Sequence, residues 1–178
     1  MKKEIQVLEY ANEIFKELKS GVLLTTKVDD KVNSMTISWG GLGIEWMKPI
    51  FTVYVRENRF TKQQLDQNGE FTINIPYGEY DKKILGVCGT KSGHNIDKVK
   101  ELGLTLVEGE EVSVPAIKEL PLTLECKVVY QQKQEAGAMT DENNVKYYPQ
   151  DVESTFHGAN KDYHTAYYGE VVKAYIIE

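Results

Sequence analysis

Residues 21–39, GVLLTTKVDDKVNSMTISW, contain the pattern on which the fold prediction depends. Two short runs of apolar and β-branched residues flank Asp29 and Asp30, a polar pair of the kind that closes β-hairpins. The stretch therefore predicts two antiparallel strands joined by a tight turn. The glycine-rich residues 40–43 then break the strand pattern before Pro49.

Four further strand patterns follow along the chain, each rich in β-branched and aromatic residues. They are IFTVYVR (50–56), FTINI (71–75), LPLTLECKVVYQQKQ (120–134) and HTAYYGEVVKAYIIE (164–178). Alternation in the third of these predicts one apolar face and one exposed face carrying Thr123, Glu125 and Lys127. Gly169 predicts a kink in the last strand.

Short helical patterns lie between the strands. Apolar residues spaced three or four apart from Ile5 to Leu18 predict an N-terminal helix within residues 1–19, and Thr61 is a candidate N-cap for a second helix. Residues 79–89 and 94–103 predict two more helices that end in Gly. About seven strands with peripheral helices favour a mainly β fold, an antiparallel barrel, in a single domain spanning residues 1–178.

The composition excludes several classes of partner. The formal net charge is −6, from 21 basic and 27 acidic residues, and the basic residues are scattered, so we expect no nucleic-acid partner. The two cysteines, Cys88 and Cys126, form no CxxC pair and are expected to be reduced, buried thiols. No signal-peptide core and no apolar run of ~20 residues is present. We expect a cytoplasmic protein with no membrane partner.

Residues 33–49, NSMTISWGGLGIEWMKP, combine small hydroxyl side chains with aromatic rings and glycines. Alternation places Met35, Ile37 and Trp39 on one strand face and the hydroxyl side chains on the other. Such a surface suits a planar ligand with polar ring edges. A core strand with an exposed hydroxyl face is the alternative.

Residues 53–69, VYVRENRFTKQQLDQNG, place two arginines at a strand end immediately before a helix. Guanidinium groups and the unpaired N–H groups of a helix N-terminus both bind phosphate. Arg59 and Thr61 are therefore candidate phosphate ligands. Alternatively, Arg56 and Arg59 are surface residues paired with nearby acids.

Residues 89–95, GTKSGHN, form a glycine-flanked turn whose backbone donors could approach an anion or carbonyl, although a plain connecting turn is the alternative. The spacing does not match a Walker motif. None of the histidines, His94, His157 and His164, stands in a zinc-binding motif, and we expect no metal site. His164 lies among tyrosines and is a candidate for contacting substrate; a partly exposed strand histidine is the alternative.

Taken in order, MTISWGGLGIEWMKP, FTVYVRENRFT, CGTKSGHNIDK and HTAYYGEVV resemble the landmarks of the flavin reductase-like family, especially its flavoredoxin branch. The resemblance runs from about residue 20 to residue 178. It implies a split β-barrel, the FMN-binding split barrel, as a homodimer with FMN near the subunit interface. The sequence departs from the branch pattern at His94, where an arginine commonly follows Ser-Gly.

The resemblance also implies roles for particular residues. The isoalloxazine and ribityl region would be lined by Met35, Thr36, Ser38 and Trp39. The phosphate would be addressed by Arg56, Arg59 and Thr61, and the far side of the ring by Lys91, Ser92 and Gly93. His164 would contact substrate beside the ring.

The implied chemistry is hydride transfer from NADH or NADPH to the flavin, followed by electron transfer to a second acceptor. No GxGxxG nicotinamide fold is present, so the reductant would bind in a shallow site. A non-catalytic FMN-binding protein or electron carrier is the main alternative. A split barrel that oxidises a pyridoxamine-type substrate or binds haem is a second alternative.

Overall fold

The computed structural model describes residues 1–155 and 158–178, so His157 lies outside the described residues. The strands are β1 (Lys2–Glu4), β2 (Val22–Val28), β3 (Lys31–Ile37), β4 (Gly40–Glu45), β5 (Lys48–Arg56), β6 (Glu70–Ile75), β7 (Leu106–Val107), β8 (Ala116–Ile117), β9 (Leu122–Lys133) and β10 (His164–Ile177). The helices are α1 (Ala11–Ser20), α2 (Phe60–Gln67), α3 (Lys83–Thr90), α4 (Lys98–Leu102) and α5 (Asp141–Tyr147), with 3-10 turns at Val7–Tyr10 and Ala136–Ala138.

One antiparallel sheet of eight strands forms the body of the molecule. Its order is β3-β2-β6-β9-β10-β5-β4, with β1 added to β10. Side chains from distant strands, such as Leu24, Val53, Phe71 and Tyr167, meet in one buried core. The sheet therefore curls into a barrel, which confirms the mainly β architecture with peripheral helices.

The barrel is split between its two end strands. β3 and β4 lie at opposite ends of the strand order, and the chain passes from one to the other through Ser38 and Trp39. The predicted hairpin is confirmed, because β2 and β3 are paired as far as Val28 and Lys31. The turn between them contains Asp29, whose φ is 49°. The split positions the end of β3 beside the ends of β5 and β10.

Two predictions about secondary structure were wrong. Residues 1–19 are not one helix, because Lys2 to Glu4 pair with the C-terminal end of β10 and α1 begins only at Ala11. Residues 40–43 do not break the sheet. Gly40 to Glu45 form β4, whose ladder with β5 supplies backbone hydrogen bonds regardless of the weak strand propensity of glycine.

The predicted exposed face of β9 was wrong for two of its three residues. Thr123 and Glu125 are fully buried, whereas Lys127 is exposed as predicted. The Glu125 carboxylate accepts hydrogen bonds from the backbone N–H groups of Glu110, Glu111 and Val112 at 2.7 to 3.2 Å. These bonds satisfy the buried charge and hold the loop before β8 against the sheet.

The kink in β10 is confirmed by a register shift against β9 between Tyr168 and Gly169. A side chain at Gly169 would collide with the ring of Phe71, so only glycine fits there. The nearby Tyr167 is fully buried, and its hydroxyl donates to Asp66 at 2.6 Å. Tyr167 therefore belongs to the core of the barrel.

Candidate functional site

A cleft opens where the barrel splits. Its volume is about 160 Å³. It is lined by Met35, Thr36, Ile37, Ser38, Trp39, Tyr54, Arg56, Arg59 and His164. Residues from the end of β3 thus face residues from β5, β10 and the turn before α2, as the antiparallel register of the sheet requires.

A smaller hole of about 20 Å³ adjoins the cleft and shares Met35 and Arg59 with it. Its other lining residues are Asn33, Phe60, Thr61, Cys88, Gly89, Lys91, Ser92, Gly93 and Lys98. Together, the cleft and the hole include every residue that the sequence assigns to the site. The structure therefore brings those residues together, while their individual roles stay predictions.

The hole is suited to an anion. Three of its lining side chains are cationic, and among the described residues that line it there is no Asp or Glu. Burial lowers the pKa of Arg59, and the neighbouring Arg56 lowers it further. Positive charge is therefore concentrated where water is partly excluded, which strengthens its attraction for a phosphate.

Lys98, which the sequence-based prediction missed, is the most buried cation of the hole. It is 4% exposed, and its ammonium donates to the backbone carbonyls of Ser34 at 2.8 Å and Cys88 at 3.2 Å. Burial lowers the pKa of Lys98 to about 8. Both acceptors are neutral, so an anion in the hole would stabilise the charged form of this side chain.

Asn33 and Gly93 shape the same hole. The Asn33 amide donates to the Thr61 hydroxyl at 3.0 Å, which links β3 to α2. A Cβ at Gly93 would collide with the Asn33 amide and the Phe60 ring. The backbone at Gly93 therefore approaches the hole more closely than any other residue type would allow.

The structure gives two threonines, Thr61 and Thr36, positions or hydrogen bonds that the sequence did not predict. Thr61 is not an N-cap: α2 begins at Phe60, Arg59 occupies the N-cap position, and Thr61 lies within the first turn. Its hydroxyl is buried and bonded to Asn33, although its backbone N–H is among those that a helix start leaves unpaired. The Thr36 hydroxyl donates to the Leu85 carbonyl at 2.7 Å and so anchors α3 against β3.

Arg56 has partners different from those predicted. Its guanidinium donates to the carbonyl of Asp162 and, at 3.2 Å, to the carbonyl of Tyr147. It also lies 5.1 Å from the centre of the Tyr148 ring. These contacts hold residues 135–155 and 158–163, which we call the strap, over one side of the cleft.

His164 lies under the strap with 7% exposure. Its Nδ1 is 2.8 Å from the Tyr148 hydroxyl, and its ring is 5.2 Å from that of Trp39. Burial lowers the pKa of His164 to about 3, with further contributions from Arg56 and Arg59. The histidine is therefore neutral at physiological pH.

The sequence-based prediction also missed the strap tyrosines. Tyr147 packs edge-on against Trp39 with 5.3 Å between ring centres, and Tyr148 stacks on Tyr163. No sequence signal places these rings, because the position of α5 over the cleft depends on contacts between residues distant in sequence, such as Arg56 and Tyr147. For Lys98, the only signal is Asp97, which caps α4 and fixes where the helix begins.

Within residues 1–155 and 158–178, no group of three or more His, Cys, Asp or Glu side chains is arranged to hold a metal ion. None of the helices described for this chain has the length and apolar character needed to cross a membrane.

Comparison with known proteins connects this site to a family. A family model described as "Flavin reductase like domain" matches residues 15–178. An uncharacterized protein of Archaeoglobus fulgidus is 36% identical over 100 residues, which cover 56% of this chain and 55% of the relative. The chain thus spans about half the length of the curated relatives it matches.

Solved structures give the same result for the fold. Flavoredoxin from Methanosarcina acetivorans is 28% identical over 89% of this chain and 68% of that chain, with a TM-score of 0.64. The NADH:FAD oxidoreductase of Streptomyces globisporus, solved with NAD and FAD fragments, is 19% identical over 88% of this chain and 74% of its own, with a TM-score of 0.58. At 19% identity the second likeness shows the fold alone.

Proposed function

Because this chain belongs to the flavin reductase-like domain family, we propose that it is an FMN-binding oxidoreductase, either an NAD(P)H-dependent flavin reductase or a flavoredoxin-like electron transfer protein. Membership confirms the predicted split β-barrel and supports a flavin cofactor. The choice of FMN, the reductant and the assignment of residues 1–178 to one functional domain are proposals.

The hole that contains Lys98 carries the proposal. Its donor set of ammonium, guanidinium and hydroxyl groups, with no carboxylate among its described lining residues, matches the chemistry of a phosphate monoester. The terminal phosphate of FMN is such a group. We assign Arg59, Thr61, Ser92 and Lys98 to it, with Lys91 at the exposed rim.

The adjoining cleft is assigned to the ring of the flavin. Met35 and Trp39 present apolar surface, Ser38 a hydroxyl group, and Gly93 a close backbone approach from the hole. Flavin, when bound, supplies hydride and electron transfer, so the chain needs no side-chain nucleophile of its own. The residues of the cleft hold and orient the ring and exclude water from one side.

Arg56 has a different task in this proposal. Since Arg56 lines the cleft but not the hole, and its guanidinium donates to the carbonyls of Asp162 and Tyr147, we assign it to holding the strap rather than to the phosphate. The strap in turn keeps Tyr147 against Trp39 and His164 beneath both. His164 is proposed to contact the second substrate of the site.

A homodimer is proposed from the outer face of the sheet. Trp46 and Tyr130 are 54% and 45% exposed, and their ring centres lie 6.5 Å apart. On β4, a Cβ at Gly41 or Gly43 would meet nothing within 4 Å, and neither glycine has a positive φ, so no contact among residues 1–155 and 158–178 requires a glycine there. A second copy of the chain whose backbone packs closely against β4 would require glycine at these two positions.

The experiment that tests the function is anaerobic reduction. Protein loaded with FMN and freed of excess flavin by gel filtration is mixed with NADH or with NADPH, and the visible absorption of the flavin is followed. A reductase loses this absorption much faster than free FMN at the same concentration does.

An electron carrier keeps its absorption with both nucleotides but loses it with dithionite. A protein that retains no FMN would contradict both candidates.

A further inference from the structure

A chain of hydrogen bonds connects Gln134, Tyr148 and His164 beneath the strap. The backbone N–H of His164 donates to the Gln134 side-chain oxygen at 3.1 Å, and the Tyr148 hydroxyl lies 2.8 Å from His164 Nδ1. The Gln134 side chain also forms a hydrogen bond with Tyr148, and this bond lowers the pKa of Tyr148. A hydrogen bond that lowers the pKa of a phenol is one that the phenol oxygen accepts, so the Gln134 amide N–H is the donor.

The direction of the Tyr148 bond follows from burial. Tyr148 is 4% exposed, so its hydroxyl hydrogen needs an acceptor inside the protein. Gln134 offers that hydroxyl donors, whereas His164 Nδ1 is an acceptor within 2.8 Å. Burial raises the pKa of Tyr148, so the hydroxyl keeps its proton to donate.

A tyrosine that donates to Nδ1 fixes the state of the imidazole. The ring is neutral, since burial and the two arginines lower the pKa of His164 to about 3. Its one proton must then be on Nε2. His164 also lines the cleft, so this second nitrogen is the one left for a ligand.

A larger cavity lies directly beside the cleft. Its volume is about 600 Å³, and it shares Ser38, Trp39 and Tyr54 with the cleft. The rings of Trp39, Tyr54, Tyr147 and Tyr148 and the amides of Gln134 and Asn143 line it, with no charged side chain among its described lining residues. His164 lines the cleft rather than this cavity, but its ring lies 5.2 Å from the Trp39 ring and 6.5 Å from the Tyr54 ring, and both of those rings line the cavity as well as the cleft.

The strap around this cavity is acidic. Between residues 135 and 162 the sequence contains six acidic and two basic residues. An anionic ligand would be repelled on approach and would lose its hydration among aromatic rings. An uncharged planar ring avoids both costs and stacks on the lining.

We propose that Tyr148 and Gln134 hold His164 as the neutral tautomer with its proton on Nε2, and that this N–H selects an uncharged planar ring with a carbonyl oxygen for the cavity. The assignment of the tautomer does not depend on whether the protein binds flavin. The selection rests on the proposed function, because the cavity would hold the second substrate beside the flavin. Tyr148 is a positioning residue, and His164 is the group that touches the ligand.

Nitrogen NMR of protein labelled with 15N-histidine tests the tautomer. The imidazole signals are assigned by their loss in His164→Gln. We expect a neutral ring protonated on Nε2 that does not titrate between about pH 5 and 8. Tyr148→Phe should give a mixture of tautomers. Tyr163→Phe is the matched control, because the Tyr163 hydroxyl bonds to Asn144 rather than to His164.

A proton on Nδ1 in the unmodified protein, or an imidazolium at pH 6, would overturn the tautomer. The unmodified protein decides this point even if Tyr148→Phe fails to fold. No flavin is needed, so the outcome is independent of the proposed function.

Titration of the same labelled protein, loaded with FMN, tests the ligand class. Benzamide and benzoate are the probes, since they have the same shape and differ in charge. We expect benzamide to move the Nε2 signal of His164 and to bind at least about tenfold more tightly than benzoate. Tyr148→Phe should weaken benzamide binding several-fold, and Tyr163→Phe should leave it unchanged.

Two results would overturn the selection: benzoate that binds as tightly as benzamide, or benzamide binding that leaves the His164 nitrogens unmoved. Should FMN fail to bind, the proposed function fails at the loading step. The benzamide titration is then carried out on the protein without FMN, and the same two results would overturn the selection.

Discussion

The ammonium of Lys98 donates to the backbone carbonyl of Ser34 across 2.8 Å, which ties the start of α4 to the middle of β3. The bond places a buried positive charge directly beneath the strand that forms one wall of the cleft. Its other acceptor, the Cys88 carbonyl, is at the C-terminal part of α3. Because both carbonyl acceptors are neutral, the Lys98 ammonium can still form an ion pair with a bound anion. The next two predictions depend on this ion pair.

Replacing this cation should weaken FMN binding selectively. A hydrogen bond to a charged group is worth about 1.5 to 3 kcal/mol, so Lys98→Met should weaken FMN binding roughly ten- to a hundredfold. Fluorescence titration measures this effect. Lys100→Met, an exposed lysine on the same helix, is the control and should bind FMN normally. An unchanged affinity in a folded Lys98→Met protein would remove Lys98 from the phosphate site.

FMN affinity should fall as the pH rises above about 8. Burial lowers the pKa of Lys98 to about 8, so the free protein carries this charge below that pH and loses it above. The phosphate binds the charged form, and each further pH unit then costs up to tenfold in affinity. Titrations from pH 7 to 9.5 should show this slope in the unmodified protein and not in Lys98→Met. The same pH dependence in the unmodified protein and in Lys98→Met would assign that dependence to a titratable group other than Lys98.

The two arginines of the strand end should behave differently. Arg59→Met should weaken FMN binding, because Arg59 lines both the hole and the cleft. Arg56→Met should instead loosen the strap, because its bonds to Asp162 and Tyr147 are lost. Hydrogen exchange measured by mass spectrometry should show faster exchange at residues 141–163 in Arg56→Met only. Equal protection of that segment in both variants would count against the assigned task of Arg56.

The sequence predicted the hairpin and the kink at Gly169 because these depend on local patterns. The group of residues around the cleft was implied by the resemblance to the flavin reductase-like family, since no local pattern brings such distant segments together. The sequence did not predict the burial of Glu125, which depends on a loop that returns from fifteen residues earlier to give it backbone donors. It did not place Lys98 either, since a helix of five residues shows too little periodicity to identify its buried face. The partners of Arg56 are backbone carbonyls 91 and 106 residues away in the sequence, a separation over which local propensity gives no information.

The tip of the β4–β5 hairpin should lower the stability of the monomer and contribute to the proposed dimer interface. Trp46 and Met47 have φ values of 49° and 61°, a left-handed conformation that costs other residues about 1 kcal/mol relative to Gly or Asn. Trp46→Asn with Met47→Gly should therefore raise the free energy of unfolding of the monomer by about 1 to 2 kcal/mol. Urea unfolding at low protein concentration measures this.

The same double variant should lose the dimer, because the exposed Trp46 ring is part of the proposed interface. Light scattering after gel filtration should report a dimer for the unmodified protein and a monomer for the variant. Met47→Gly alone is the control and should stay dimeric. A monomeric unmodified protein would contradict the proposed interface.

The central claim is that the hole and cleft together bind FMN by its phosphate. The most direct test is a titration of flavin-free protein with FMN and with riboflavin, which is the same ring system without the phosphate, at pH 7. We expect FMN to bind at least about a hundredfold more tightly than riboflavin, since at least two charged groups contact the phosphate. Equal affinity for the two flavins, or binding of neither, would contradict the account.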